Sequence, residues 1–498
     1  MSTKLFPFQQ RGVNLLDAYN GRALLADEQG LGKTIISLKY LQNHPEIRPA
    51  VIVCPASVKY VWEDQAKLHC NLRTLVCSGR KTPKDGLRNK DSIFVINYDI
   101  LSYWTTWLRD IHPQIVIFDE CSRLKSRGAK RTKAARLLCS PIKRVAVKDL
   151  DMFGKNKLVI IKHNKVKGII SSINQDKIAT VKTQIPHLIG LSGTPLTNRP
   201  SELWSILNLI WPVEFPAFTP YAWDYCSPQI TPYGWKYTGA TNLNKLHAIL
   251  KDLGMIRRLK KDVLKELPDK IIQVIPLEMN NIQVYKKVLG DFINWLSRID
   301  KEKARRASKA EKITQLAYLR RTAAEGKLNN LYDWIDSFLE ESDDKLVLGC
   351  IHHSIIDAIY NRYRNISLTL TGKTPPHKRR STVQMFRTSR NKRIFIGQIY
   401  AMGLGLDGLQ HVSHTSGIVE IPWDPGTLSQ FMDRIHRIGQ TKGVSINFFV
   451  ARGSIEEKLC DIIQTKQKVL NKILDGKASV ASTNIDIFDQ LTEMIEGK

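Results

Sequence analysis

The sequence contains no Cys-x-x-Cys pair, although its 498 residues include eight cysteines. Zinc modules and redox motifs need such paired spacing, so neither kind of site is expected. A disulfide framework is equally unexpected in a long chain with an ordinary apolar content of 43%. The cysteines are scattered singly at Cys54, Cys70, Cys77, Cys121, Cys139, Cys226, Cys350 and Cys460.

Long apolar runs are also missing. The start, MSTKLFPFQQ, has no apolar signal segment, and no uncharged apolar stretch of membrane-spanning length follows it. We therefore expect an intracellular protein that is neither secreted nor membrane-bound, in a reducing compartment.

Acidic residues are scarce relative to basic ones. The chain has 47 Asp and Glu against 75 Lys and Arg, which gives a formal net charge of +28. Such an excess favours a polyanionic partner, with nucleic acid first and an anionic membrane surface second. Charge alone leaves open the alternative of a merely soluble basic protein.

Short, uninterrupted apolar runs recur along the chain and are separated by segments with helical spacing. This alternation predicts an α/β fold whose parallel sheets are buried on both faces. The runs are Ala23–Asp27, Ala50–Pro55, Ser92–Tyr98, Gln114–Glu120, His187–Gly193, Lys345–Ile351, Ile366–Gly372, Arg393–Ile399 and Gly417–Trp423.

The spacing of these runs predicts two α/β lobes, over residues 1–277 and 326–475. Residues 278–325 are rich in Lys, Arg, Glu, Ala and Leu and predict long helices that link the lobes or protrude, and 476–498 is a tail. Within lobe one, residues 145–185 alternate apolar and polar residues, which predicts a small antiparallel β module inserted there. Its many lysines indicate an auxiliary grip on DNA, with a tolerated insertion or a protein-contact site as the alternatives.

A phosphate-binding loop is indicated by DEQGLGKT, Asp27 to Thr34, between a strand and a helix. Gly30 and Gly32 let backbone N–H groups turn toward phosphate oxygens. Lys33 can reach the β- and γ-phosphates, and the Thr34 hydroxyl can ligate Mg²⁺. The strict pattern has Gly at position 27, so a chance loop is the alternative.

Two further segments place charged groups suited to hydrolysis. Asp119 and Glu120 end an apolar strand, where ligands bind in an open parallel sheet. Asp119 suits Mg²⁺ and Glu120 suits activation of the attacking water. Arg434 and Arg437 are three residues apart, share a helix face and could stabilise the transition state as arginine fingers. A surface acidic pair and a solvated basic helix face are the alternatives.

Together these pieces resemble the Swi/Snf-type ATPases of helicase superfamily two. The segment LFPFQ resembles the family's adenine-recognition motif, and ADEQGLGKT resembles its motif one, which accounts for Asp27. The segments that resemble motifs Ia, Ib, two, three, five and six are, in order, VCPASVKYVWEDQ, NYD, DECSRLK, LSGTPLTNRPSELW, AMGLGLDG and WDPGTLSQFMDRIHRIGQ. FPAFTPYAWDYC, YGWKYTGATNLNKL and IRRLKKDVL are most similar to the annealing-helicase (HARP-like) branch.

The resemblance implies two RecA-like lobes with ATP and Mg²⁺ bound in the cleft between them. It implies that Gln9 reads adenine, and that Asp27, Leu31 and Gln440 belong to the nucleotide-binding motifs. It further implies that nucleic acid crosses both lobes, held by residues at or near Ser57, Lys59, Asn97, Gly372 and Gly403. Two positions depart from the family pattern: Ser122 stands where His is usual, and Asp407 where Asn is usual.

The expected activity is a nucleic-acid-dependent ATPase that translocates as a monomer on duplex or forked DNA and remodels or re-anneals it. A strand-separating helicase on DNA or RNA shares the same engine. A DNA-binding scaffold that does not hydrolyse ATP is the third possibility, but the chain keeps Lys33, Glu120, Arg434 and Arg437.

Overall fold

The apolar runs of the first half form one parallel sheet in the computed structural model. The structure describes residues 3–83, 92–140, 142–147, 158–161, 178–183, 185–195, 199–232, 234–298, 308–403 and 406–475. Strands of the first half are β1 Arg22–Leu25, β2 Ala50–Cys54, β3 Thr74–Val76, β4 Ile93–Asn97, β5 Ile115–Asp119, β6 Ile142–Val147, β7 Leu158–Ile161, β8 Ile178–Thr183, β9 His187–Leu191, β10 Gln229–Thr231, β11 Gly234–Lys236 and β12 Met255–Ile256.

Helices cover both faces of this sheet. Their bounds are α1 Pro7–Ala18, α2 Lys33–Asn43, α3 Lys59–Cys70, α4 Leu101–Asp110, α5 Lys130–Cys139, α6 Trp204–Ile210, α7 Phe218–Tyr225, α8 Leu243–Leu253 and α9 Lys260–Val263. The strand order is β12-β1-β9-β5-β2-β4-β3, with every pair parallel. Helices α1 to α3 pack on one face, and α4, α5, α6 and α8 on the other. All five residues of β2 and of β4 are buried, as a sheet covered on both sides requires.

A second parallel sheet forms lobe two, in the order β13-β18-β17-β14-β16-β15. Its strands are β13 Lys270–Leu277, β14 Leu346–Cys350, β15 Ser367–Leu370, β16 Ile394–Gln398, β17 Thr415–Ile418 and β18 Val444–Ala451. The helices are α10 Ile282–Arg298, α11 Ser308–Gly326, α12 Leu328–Glu341, α13 His353–Arg362, α14 Pro376–Thr388, α15 Ile399–Met402, α16 Pro425–Met432 and α17 Ile455–Asp475. The predicted fold class, two parallel-sheet α/β lobes, is therefore confirmed.

The predicted division at residue 277 differs from the structure. Strand β13 pairs along its whole length with β18, so residues 270–277 belong to the sheet of lobe two. The predicted helical segment is present as α10 and α11, and Tyr285, Phe292, Leu316 and Leu319 pack it onto lobe two.

The inserted module contains an antiparallel sheet of three described strands, in the order β7-β6-β8. It begins at Ile142, three residues before the predicted start. Residues 167–174 of the predicted module lie outside the described residues, as does the predicted tail, 476–498. None of the described helices has the length and apolar character to cross a membrane.

Candidate active site

The loop between β1 and α2 lies against the second lobe, next to Arg437. Gly30 and Gly32 have φ values of 86° and 81°, a left-handed conformation that favours glycine. A Cβ on Gly30 would lie 2.8 Å from the Cβ of Arg437. Lys33 begins α2 and donates to the carbonyl of Asp27 at 2.8 Å, and burial lowers the pKa of its ammonium. The loop thus has the backbone shape and the partly buried cation that a phosphate site needs.

Asp27 has a partner that the sequence motif did not indicate. Its carboxylate is fully buried, and Oδ1 accepts from Nε of Arg258 at 2.8 Å and from the backbone N–H of Arg258 at 3.0 Å. The second carboxylate oxygen accepts from Nη2 of the same arginine. Asp27 therefore ties the basic segment after β12 to the phosphate loop, and it does not line the cavity beside that loop.

Asp119 lies at the end of β5 and lines the same cavity as Thr34. Its Oδ2 accepts from the indole N–H of Trp62 at 2.8 Å. Burial, and then the charge of Glu120, raise the pKa of Asp119 to about 7. A bound cation would favour the ionised carboxylate, as expected for a metal ligand.

Side chains from several motifs contact Glu120. Its Oε1 accepts from Gln29 Nε2 at 3.2 Å, and its Oε2 accepts from Ser192 Oγ and from Gln430 Nε2, each at 3.4 Å. Gln430 Nε2 also donates to Thr194 Oγ1 at 3.3 Å. Because Gln430 comes from lobe two, the carboxylate is oriented by both lobes at once.

The two candidate arginines have different surroundings. Arg434 is partly buried and donates to the carbonyls of Leu406 at 2.8 Å and Gly403 at 2.6 Å. Burial, and then the charge of Arg437, lower the pKa of Arg434 to about 10. The Arg437 side chain remains 23% exposed, and its Nη1 lies 3.5 Å from Oδ1 of Asp407. Arg437 also donates to the carbonyl of Leu406, at 3.4 Å. Its contacts are longer than those of Arg434, so Arg437 is the arginine that is less firmly held.

Asp407, the departure from the family pattern, faces this second arginine. Burial alone would raise the pKa of Asp407, but the charge of Arg437 and a hydrogen bond from Gln410 lower it below the ordinary value. Gln410 Nε2 donates to Asp407 Oδ1 at 2.9 Å. The carboxylate is thus ionised beside the arginine.

These groups surround one cavity of about 490 Å³ between the lobes, a volume typical of ligand sites. It is lined by Gln9, Gly30, Gly32, Lys33, Thr34, Asp119, Glu120, Gly403, Asp407, Arg434 and Arg437. One carboxylate and one hydroxyl fit Mg²⁺, which takes few protein ligands and completes its shell with water and phosphate. Gln9 is buried at the rim, where its amide donates to the carbonyl of Leu31 at 3.3 Å. Of the remaining predicted nucleotide residues, Gln440 is buried away from the cavity and donates to Ser413 and Ile435 carbonyls.

The predicted nucleic-acid residues are spread over several environments. Ser57 and Asn97 lie at the carboxyl ends of β2 and β4, and Asn97 is buried with Nδ2 donating to Asp99 at 3.2 Å. Lys59 is also buried, and its ammonium donates to the carbonyl of Cys77 at 2.8 Å. Gly372 is exposed, whereas Gly403 lines the cavity between the lobes and accepts from Arg434.

The motifs contained three residues whose roles were not predicted: Gln29, Gln430 and Lys260. Lys260 is buried and donates to Asp433 Oδ1 at 2.7 Å and to the carbonyl of His436 at 2.6 Å, so it joins the basic segment to motif six. Their only sequence signal is membership of a motif. Their partners lie in distant segments, which a motif alone does not identify.

Two family models match the chain: the SNF2-related domain over residues 8–327 and the helicase conserved C-terminal domain over residues 326–439. A Bos taurus protein named SWI/SNF-related matrix-associated actin-dependent regulator of chromatin subfamily A-like protein 1 is 30% identical over 99% of this chain and 46% of its own length. The human DNA annealing helicase and endonuclease ZRANB3 is 29% identical over 96% of this chain and 41% of its own length. The chain thus spans about half the length of these relatives.

Among solved structures, the Sulfolobus solfataricus SWI2/SNF2 ATPase core in complex with dsDNA is similar to this chain. The identity is 20%, the TM-score is 0.43, and the alignment covers 96% of this chain and 94% of the other.

Proposed function

Because the chain belongs to the family of the SNF2-related domain, we propose that it is a DNA-dependent ATPase that moves along duplex or forked DNA. The observation that carries this proposal is the meeting of Lys33, Glu120 and Arg437 in one cavity between two parallel-sheet lobes. A phosphate-binding lysine, a carboxylate for water and an arginine from the second lobe are the parts that nucleoside triphosphate hydrolysis requires.

ATP would lie with its phosphates on the loop between β1 and α2 and its base near Gln9. Lys33 would contact the β- and γ-phosphates, and Thr34 with Asp119 would hold Mg²⁺, which neutralises the phosphate charge. Glu120 would orient and deprotonate the attacking water. Hydrogen bonds from Gln29, Ser192 and Gln430 would hold the Glu120 carboxylate in place. Arg437 would leave Asp407 and stabilise the charge of the transition state.

Movement on DNA follows from the position of Gln430 and Arg437 in lobe two. Both reach groups in lobe one, so the arrangement of the lobes depends on what occupies the cavity. Cycles of closing and opening would let two backbone grips advance in turn. Grips on phosphates give movement with little sequence preference. Remodelling or re-annealing of DNA, in a compartment that contains it, is the outcome we propose, in line with the relative named a DNA annealing helicase.

An ATPase assay tests the proposal with five parallel samples: no nucleic acid, single strands, blunt duplex, forked duplex and RNA. We expect strong stimulation by duplex or forked DNA and little by RNA. Glu120→Gln is the control, because it should still bind ATP while turnover falls about 10²-fold or more. Equal turnover with and without DNA contradicts the proposal. The fate of the DNA strands is measured separately from turnover. Release of a strand from a fork would favour a separating helicase, and pairing of complementary strands would favour an annealing activity.

A further inference from the structure

A second cavity, of about 790 Å³, lies at the carboxyl edge of the first sheet and shares no lining residue with the cavity between the lobes. Its walls come from the segment after motif two, the end of α5, the segment leading into α6, and strand β11. Its volume would accommodate a nucleotide unit with space for a neighbour. We call it the lobe-one cavity.

The lobe-one cavity is strongly cationic. It is lined by Lys125, Arg127, Arg136, Arg199 and Lys236, against the single carboxylate of Glu202. Burial, and then the charge of Arg127, lower the pKa of Arg136, because the two guanidinium groups repel each other. Within the described part of the chain, Nε and Nη2 of Arg136 are buried without a hydrogen-bond acceptor. An anion entering here would relieve both the repulsion and the unmatched donors.

Aromatic rings interleave with these cations. The guanidinium of Arg127 lies 3.4 Å from the ring centroid of Phe218, and that of Arg136 lies 4.7 Å from the ring of Trp204. Stacking on rings holds a guanidinium in one plane while its N–H groups stay available. Trp235 lines the cavity and is about half exposed, with its ring edge-on to exposed Trp223 at 5.2 Å.

We propose that the lobe-one cavity binds an unpaired nucleotide of single-stranded DNA, with the base stacked on Trp235 and the phosphates held by Arg127 and Arg136. Paired bases inside a duplex cannot present a face to a ring, whereas unpaired bases stack on aromatic side chains regardless of sequence. This binding role rests on the proposed function, movement along duplex or forked DNA. It gives lobe one the recognition of the unpaired part of a fork.

The test compares three fluorescent probes by anisotropy at low salt and without ATP. The probes are a twelve-residue oligothymidylate, a fully abasic strand of equal length and charge, and a blunt duplex. Trp235→Ala should weaken binding of oligothymidylate about five- to tenfold. It should leave the abasic strand and the duplex within about twofold, because neither offers the ring an unpaired base. Arg136→Gln should weaken both single strands and spare the duplex.

Arg73→Gln is the matched charge control, since Arg73 is exposed and precedes β3 at the opposite edge of the sheet. It should change none of the three affinities. ATPase stimulated by blunt duplex is measured on every variant as a separate readout, and it should stay unchanged. If blunt duplex failed to stimulate the ATPase of the wild type, the proposed function would be refuted. The base-dependent affinity tests the cavity alone.

Three results would overturn the proposal. The first is an unchanged affinity of Trp235→Ala for oligothymidylate, and the second is an equal loss for the abasic strand. The third is displacement of oligothymidylate by polyglutamate of matched charge as effectively as by unlabelled strand, which would assign the cavity to an acidic protein. Thermal melting of each variant within about 2 °C of the wild type shows that the fold is intact.

Discussion

Arg434 and Arg437 show how two residues of one motif can differ in task. Arg434 is partly buried and donates to the carbonyls of Leu406 and Gly403, so it holds the segment after α15 in place. Arg437 touches Gly30 of the phosphate loop and ends near an ionised carboxylate. The two arginines look alike in the sequence, whereas the lengths of their contacts separate a structural arginine from a candidate finger.

We predict that Arg437→Ala spares ATP binding and loses about 10³-fold or more in turnover, because the transition-state charge loses its partner. Its melting temperature should stay within about 2 °C of the wild type. Arg434→Ala should instead lower the melting temperature by several degrees, since the buried carbonyl of Gly403 loses its donor and that of Leu406 keeps only the longer bond from Arg437. DNA-stimulated turnover and calorimetry check both variants. Near wild-type turnover of Arg437→Ala would transfer the finger role to Arg434.

Asp407 gives a second prediction at this scale. Its carboxylate lies 3.5 Å from Arg437 and lines the cavity where the phosphates of ATP would lie. Asp407→Asn removes a negative charge from that region and releases Arg437, so the KM for ATP should fall about two- to fivefold. Asp407→Glu is the control and should keep the wild-type value. A KM that Asp407→Asn leaves unchanged would show that this charge does not oppose nucleotide binding.

The sequence motifs predicted which residues lie near the cavity, but they did not predict which groups each side chain contacts. Lys33, Thr34, Asp119, Glu120, Arg434 and Arg437 all line it, as their motifs indicated. Asp27, Lys59 and Gln440 belong to the same motifs but are turned to internal partners. Motif spacing fixes which loop a residue occupies, while the direction of its side chain depends on groups from distant segments such as Arg258 and Cys77.

At the scale of elements, helix α17 connects the two lobes. Its first half buries Ile455, Leu459 and Ile462 in the core of lobe two. Its last turns bury Val469 and Ile473 in the core of lobe one. Asp475 at its end pairs with Arg257 at 2.8 Å, and the carbonyl of Ile473 pairs with His247 Nδ1 at 2.9 Å. Relative motion of the lobes must therefore bend this helix or break its contact with lobe one.

We predict that Ile473→Ala uncouples the thermal unfolding of the lobes. Ile473 is fully buried, and truncation of such a side chain costs about 2–5 kcal/mol. The wild type should unfold in one calorimetric transition and the variant in two. Ile462→Ala is the matched control on the same helix, and it should lower lobe-two stability without splitting the transition. A single shifted transition for Ile473→Ala would show that other contacts keep the lobes coupled.

The strands that sequence analysis missed are β3, β10, β11, β12, β13 and β18. The two-residue strand β12 is too short for an apolar run to show. Strand β13 is exposed over much of its length, with Ile271, Ile272 and Val274 more than half exposed, so it lacks the buried character of the central strands. The ninth predicted run, Gly417–Trp423, overlaps β17 only at its start, because β17 ends at Ile418. Position within the sheet, which sequence does not give, decides these cases.

At the scale of the whole molecule, the net charge of +28 gives a prediction about DNA affinity. A cationic chain that grips phosphates gains most of its binding from released counterions. We expect a slope of about −5 or steeper in log K against log salt concentration, with little dependence on duplex sequence. Titrations at four salt concentrations on two unrelated duplexes measure both quantities. A flat plot would contradict a phosphate-based grip.

The inserted module gives the last prediction, because it can be removed without entering the motor. Strands β6 to β8 form a sheet of their own, between the end of α5 at Cys139 and the start of β9 at His187. Ile185 already belongs to the core of lobe one, so the replacement by a Gly-Ser linker should cover residues 142–184. Residues 145–185 contain Lys148, Lys155, Lys157, Lys162, Lys165, Lys167, Lys177 and Lys182 against Asp149, Asp151 and Asp176.

If these lysines contact phosphates, the linker variant should bind forked DNA more weakly and with a shallower salt slope. Turnover without DNA and the melting temperature should hardly change, because both cores remain complete. A variant with the eight lysines replaced by glutamine keeps the sheet and separates charge from shape: it should reproduce the loss of affinity. Unchanged affinity and slope in both variants would remove the DNA-binding role and leave a protein-contact or neutral role. Loss of affinity in the linker variant alone would assign the contact to uncharged groups of the sheet.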